Sequence, residues 1–182
     1  MPDRSHTWRG IHDAEMVREA VEVSLLAEGL EGGALRATLA VVNRGVGHAF
    51  PSYVTPRVFV ALWQADAAGD EIGGTRREAT IGREIDFGRR PAEEVFDTRV
   101  LPGETFRLRY AEARAGGAAS LRGRVTVDPA HHYRAVYERL LRRYETPEAL
   151  ALIEEALERA NRVPYVLAER SLPLPVARAG AP

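Results

Sequence analysis

The chain has 182 residues, enough for one domain that buries roughly 70% of its unfolded surface. A hydrophobic fraction of 45% and a charged fraction of 28% are those of an ordinary globular protein, which excludes a disordered or membrane class. The formal charge is −1, every one of the 25 basic residues is arginine, and cysteine is absent. No basic field exists to attract nucleic acid, and disulfides, thiolate metal sites, cysteine nucleophiles and C-x-x-C-H haem attachment are excluded.

The arginine-only composition reads as a GC-rich coding bias. The longest apolar runs, such as VFVALW at residues 58 to 63, fall far short of the ~20 residues a bilayer span needs. The opening MPDRSHTWRG has no apolar secretory core. It points to a cytoplasmic chain or to a fragment whose targeting signal lies elsewhere.

Asp13 can cap a short helix that carries Met16 and Ala20 at helical spacing. From Val21 the period changes to two. Val21, Val23 and Leu25 alternate with Glu22 and Ser24, and after EGG at 31 to 33 the alternation resumes as Leu35, Ala37, Leu39 and Val41. These are two strands of a hairpin. Residues 57 to 65, RVFVALWQA, are apolar on both faces, as in a central strand with the opposing sheet on one side and a helix or partner on the other. A turn, DAAGDE, ends it. Phe106, Leu108 and Tyr110, then Leu121, Val125 and Val127, alternate with Arg107, Arg109, Arg122 and Arg124, which predicts half-buried strands with a solvated arginine face. The LPGE at 101 to 104 suits a type II turn.

Asp128 and Pro129 form a cap and first-turn pair. Behind them Tyr133, Val136, Tyr137, Leu140, Leu141 and Tyr144 make a wide amphipathic helical stripe, more suited to core than to a cofactor box. Thr146 and Pro147 restart a second helix, so the two form a hairpin; Val163 to Leu167 reads as a returning strand and the tail from Leu172 as irregular. The fold class is therefore mainly β, an Ig-like antiparallel β-sandwich with a short N-terminal helix and a C-terminal α-helical hairpin. In one domain overall, residues 1–20 form the arm and helix, 21–128 the sandwich, and 129–182 the hairpin and tail packed on it.

Two segments carry candidate chemistry. In NRGVGHAFPS, residues 43 to 52, Gly45, Gly47 and Pro51 hold His48 in a loop where two strands end, and a fixed imidazole there can ligate a metal or haem iron or move a proton. The competing reading is a histidine that hydrogen-bonds across a strand crossover. In SHTWRGIHD, residues 5 to 13, His6 and His12 flank Trp8 and Gly10, with Asp13 placed to orient an imidazole; the alternative is an ordered arm with Trp8 docked on the sheet. His131 and His132, being adjacent on a helix, point about 100° apart and cannot chelate one ion, so they read as surface or interface residues. The acid pairs Glu93/Glu94 and Glu154/Glu155 read as solvated faces, and no nucleophile, phosphate or zinc-protease motif occurs. Enzymatic activity has no positive support and stays uncertain.

Taken together, His6, Trp8, Gly10, His12 and Asp13, then Asn43, Gly45, Gly47, His48, Phe50, Pro51 and Ser52 before Arg57, then Asp97, Thr98 and Arg99 before LPGE, carry a resemblance. The chain resembles the C-terminal, non-haem β-sandwich part of periplasmic multihaem cytochromes c of the cytochrome c554-like type, over roughly residues 5 to 145. That resemblance implies an accessory domain in electron transfer. His48, with His6 or His12, would be an axial or near-haem ligand to haem c carried by another segment or chain, and the partner would be a haem-bearing cytochrome segment or redox protein in the periplasm. Without C-x-x-C-H the chain attaches no haem covalently. It is either a fragment or a haem-free relative, and the alternative function is a haem-free, Ig-like binding or scaffold module.

Overall fold

Period-two apolar alternation, which places successive side chains on opposite faces of a strand, decides most of the architecture. The computed structural model describes residues 10–31 and 34–175, with the backbone alone at 30 and 31. The chain runs through α1 (Ala14–Ala20), β1 (Val21–Glu31), β2 (Ala34–Asn43) and β3 (Arg57–Ala65). It continues with β4 (Arg77–Ile81), β5 (Arg83–Asp86), β6 (Glu93–Asp97), β7 (Thr105–Ala113) and β8 (Ser120–Asp128). The helices α2 (His131–Leu141) and α3 (Pro147–Arg162) and the strand β9 (Tyr165–Pro173) complete it.

A three-stranded sheet, β1-β2-β7, packs on a four-stranded one, β4-β3-β8-β9, and every pairing is antiparallel. The mainly-β sandwich expected from the alternation is the fold observed. Val23, Leu25, Leu39 and Val41 from one sheet meet Val58, Val60, Leu62, Val125 and Val127 from the other in a single buried cluster. Gly123 belongs to this packing, since a Cβ there would lie 3.2 Å from the methyls of Leu39 and Leu62. Gln64, Tyr110 and Thr75 form the core's polar centre. The Gln64 amide donates to Tyr110 Oη (3.1 Å) and Ala113 O (2.8 Å) and accepts from Ala115 N (2.8 Å), while Tyr110 Oη donates to Thr75 O (2.8 Å). A buried amide so satisfied costs little to enclose and ties β3 to β7 across the sandwich.

Several expectations need correction. The second helix starts at His131, with Ala130 at the cap position and no side-chain cap bond, because the Asp128 carboxylate is occupied by Arg134 and by Ala130 N. Among the described residues α2 covers the outer face of β3 at Phe59, through His131, and arginine side chains cover it at Trp63. The Arg76 and Arg124 guanidiniums lie over the Trp63 ring at 4.8 and 5.4 Å, and His131 meets Phe59 edge-on at 5.6 Å. Arginine stems shelter apolar surface while their heads stay wet. The tyrosine stripe of α2 is less buried than a core stripe: no α2 side chain is fully buried, and Tyr133 and Tyr144 are 46% and 47% exposed. The last strand runs to Pro173 because it pairs with β8 along its whole length.

Two elements were not legible, β4 and the two-stranded ribbon β5-β6, because each of their strands begins with two adjacent charged residues, which breaks the alternation. The EGG turn falls partly on residues 32 and 33, outside the described residues. Leu39 is fully buried between the sheets, so Leu39→Ala should lower unfolding free energy by about 3 kcal/mol in chemical denaturation, with no change in the far-UV spectrum.

Candidate functional site

The 44–56 connection, α1, the 101–104 turn, the ribbon β5-β6 and the helical hairpin all gather at one end of the sandwich. Register shows why. Asn43 pairs with Val21 where β2 ends and β1 begins, and Arg57 pairs with Asp128 where β3 begins and β8 ends. All four described histidines, His12, His48, His131 and His132, sit on these end segments. His6 and Trp8 lie outside the described residues.

The His48 loop is held by Asn43, which is 0% exposed. Its Nδ2 donates to His48 O (2.8 Å) and Val100 O (3.0 Å), and its Oδ1 accepts from Val46 N (3.0 Å). Its backbone is engaged as well, with N donating to Glu104 O and O accepting from Gly103 N. Phe50 and Val100 exchange both backbone hydrogen bonds at 2.8 Å, and Phe50 and Pro51, joined by a cis peptide, are buried. Gly45 passes against the end of α1, where a Cβ would come within 3.1 Å of Ala20 Cα. Thr98 Oγ1 donates to Thr80 O and accepts from Gly82 N, while Arg99 donates to Ser52 O and forks onto Asp97. That fork holds the Asp97 carboxyl below the usual carboxylate range.

His48 stands apart from this scaffolding. The crossover hydrogen bonds belong to Asn43, and the His48 ring is exposed and, among the described residues, hydrogen-bonds only to the carbonyl of the next residue, Nδ1 to Ala49 O at 3.1 Å. A carbonyl can only accept, so that contact puts the proton on Nδ1 and leaves Nε2 of the neutral ring with a free lone pair.

His12 is also exposed. Tyr165 Oη donates to Ile11 O at 2.9 Å, and Asp13 caps α1 by accepting from Met16 N at 3.0 Å, which fixes the backbone on both sides of His12. His12 lies at the edge of an apolar groove of about 390 Å³ between the two helices, whose walls include Tyr133, Tyr137, Leu152 and Ala156. The structure thus sets His12 and His48 on separate walls of the same end. Among the described residues no group of three or more histidine, aspartate or glutamate side chains could hold a metal ion, and no acidic partners converge on His48 as a catalytic base would require.

His131 is half-buried, with Nδ1 3.3 Å from the Asp128 carboxylate, and burial together with the nearby Arg57 charge pushes it below the ordinary histidine value. It forms the floor, with Arg57, of a cleft of about 560 Å³ between the ribbon β5-β6 and α2. Phe87 and Val95 on the ribbon side of that cleft are 63% and 58% exposed. Sequence reasoning missed this cleft because it missed the ribbon; the alternation of Ile85 and Phe87 was the only signal.

No protein-family model and no curated protein matches the sequence. The fold does match a solved structure, that of a penta-haem cytochrome c552 from Thermochromatium tepidum, with a TM-score of 0.64 at 19% identity. The match covers 93% of this chain and 43% of that one, so this chain spans less than half the length of its structural neighbour. The likeness is one of fold. Among the described residues no helix is long and apolar enough to cross a membrane.

Two outcomes follow for the site. Asn43→Ala should cost about 2 kcal/mol, because it strands buried carbonyls and frees the 44–50 loop, and amide exchange at Val46 should accelerate while exchange in β8 rises only with the global loss. Burial pushes the Tyr165 phenol up to about 12, against partial relief from Arg18. The unfolded chain then loses this proton first as pH rises above about 10, so stability should fall by about 2 kcal/mol between pH 10 and 12, and Tyr165→Phe should flatten that fall in alkaline denaturation.

Proposed function

We propose that this chain is an accessory, non-catalytic domain of a multihaem c-type cytochrome system engaged in electron transfer. It would pack its helical end on a haem-bearing segment or redox protein and present His48, with His12 or His6, as an axial or near-haem imidazole. The observation that carries the reading is His48 itself. In the run from Asn43 to Pro51, Asn43, Gly45 and Phe50 serve the scaffold and His48 joins it through its backbone carbonyl, whereas among the described residues the His48 ring bonds only to Ala49 O and leaves Nε2 unused. Gly47 agrees with this, because it has no positive φ and, among the described residues, nothing lies within 4 Å of where a Cβ would sit. The sandwich shared with a penta-haem cytochrome supplies the class of partner.

The residues present suit such a group in the way a donor from outside a covalent attachment site must. A ligating imidazole works as a neutral ring whose other nitrogen is fixed by a hydrogen bond, and His48 has that bond to Ala49 O. When bound, haem would supply one-electron transfer, its potential set partly by the imidazole and its surroundings. The chain's own part is positional. Asn43 holds the loop, Asn43 and Phe50 anchor it to the 98–104 segment, and the apolar groove beside His12 shields a contact from water. Covalent attachment lies with the partner, since this chain has no cysteine. The periplasm, where c-type haems reside in the resembling proteins, is the compartment the reading implies.

A haem-free binding module is the second reading, favoured by the exposed Phe87 and Val95 on the ribbon beside the α2 cleft. Ferric haem titrated into the purified chain separates the two. Wild type should shift the Soret band toward a low-spin, imidazole-bound form. His48→Ala should lose most of that shift while its denaturation curve stays unchanged, because the His48 ring carries no tertiary hydrogen bond. Identical spectra for wild type and His48→Ala would sink the ligand role.

A further inference from the structure

The outer face of the four-stranded sheet, away from the histidines, holds a cavity of about 260 Å³ that includes Trp63, Arg122, Arg124, Glu169 and Ser171 in its walls. Register places three of these in one lateral row. Trp63 on β3 pairs with Arg122 on β8, and Arg122 pairs with Ser171 on β9. Cross-strand neighbours of this kind lie about 5 Å apart on one face, a distance that a single oxyanion can bridge.

We propose that this row is a binding site for a small oxyanion, a phosphate, sulfate or carboxylate group. The next row along the sheet sets the contrast. Arg124 pairs with Glu169 at 2.7 Å, and Arg76 on the far side of Trp63 pairs with Glu71 at 2.7 Å and with Glu78. Arg122 has no carboxylate. Among the described residues the exposed Arg122 guanidinium makes no hydrogen bond or ion pair, the exposed Ser171 hydroxyl makes none, and the indole N–H of Trp63, a residue 6% exposed, has no protein acceptor and reaches solvent.

The cavity therefore concentrates donors without a protein acceptor and has one carboxylate, that of Glu169, already paired with Arg124. Donors of this kind select an acceptor, and a planar guanidinium fork selects one with two oxygens. Arg122 is also held in place without an ion pair. It lies over Gly69, where a Cβ would come within 2.5 Å of Nη2, and Gly69 has a φ of +93° that only glycine adopts freely. The turn thus keeps a bare backbone under the guanidinium, and Asp66 builds that turn by accepting from the amides of Ala68, Gly69 and Asp70. The site stands independently of any haem partner.

Nitrogen-labelled protein titrated with sodium phosphate, against sodium chloride at matched ionic strength, tests it through the Trp63 indole N–H resonance, with Trp8 as the second indole and Trp8→Phe for assignment. Wild type should give a saturable Trp63 shift with phosphate and not with chloride. Arg122→Gln should weaken the apparent affinity about tenfold or more, and Ser171→Ala about threefold. Arg122→Lys, which keeps the charge and the stem over Gly69 but loses the fork, should fall between. A response that is linear, equal in chloride, or unchanged in both Arg122 variants overturns the site.

Discussion

One buried side chain, Asn43, organises the end of the sandwich where the histidine-bearing segments gather. It ends β2, and at that point the chain must leave the sheet without stranding polar groups in the core. The carboxamide answers with two donors and an acceptor, joining the outgoing loop to the 98–104 segment that returns beneath it. Its backbone closes the same junction through Gly103 and Glu104. Aspartate could not replace it, since Nδ2 faces two carbonyl oxygens and an acceptor there would repel both. The loop that carries His48 is consequently fixed from below, while the His48 ring itself is exposed.

Arginine does the rest of the closing, and a chain without lysine shows how well the planar fork suits that work. Arg57, nearly buried, donates to the carbonyls of Val54, Pro56 and Arg83, so one cation gathers the start of β3, the end loop and the ribbon. Arg18 and Arg170 donate to Val166, Leu167 and Val23, and so stitch the edges of β9 and β1 where the two sheets part. Arg134 joins Asp128 to Ala160 O and thereby fastens the helical hairpin to the end of β8. Alternation marks a different set, Arg107, Arg109, Arg122 and Arg124, as a solvated face, and those four are exposed. Arg57, Arg18, Arg170 and Arg134 instead satisfy backbone that the ladders leave over.

Legibility followed the physics of each element. Strands with one buried face, β1, β2, β7 and β8, were readable because alternation is imposed by the core, and α1 because Asp13 caps it locally. The ribbon was not, because neither of its faces is buried enough to impose a pattern. The start of α2 was misplaced because Asp128 answers to a residue six positions on, a tertiary demand that outranks capping. For the site, the loop around His48 could be picked out by its glycines and proline. That Asn43 would take over the crossover hydrogen bonds, and so release the histidine from a structural role, depended on Val100, distant in sequence.

The same contrast bears on the proposed role, in which a domain that attaches no haem itself would matter to electron transfer. An axial or near-haem imidazole tunes a potential only if its orientation and its second hydrogen bond are fixed, and a loop free to move would present an average. Here the rigidity comes from groups on the inner side of the two segments, which would not face the proposed contact: Asn43 and Phe50 below the loop, the Asp97–Arg99 fork beside it and Tyr165 behind His12. The exposed rings cost the fold nothing to keep. Exchange of either histidine is thereby uncoupled from stability, whereas exchange of Asn43 disturbs both at once, and this asymmetry separates a residue that supports a contact from one that makes it.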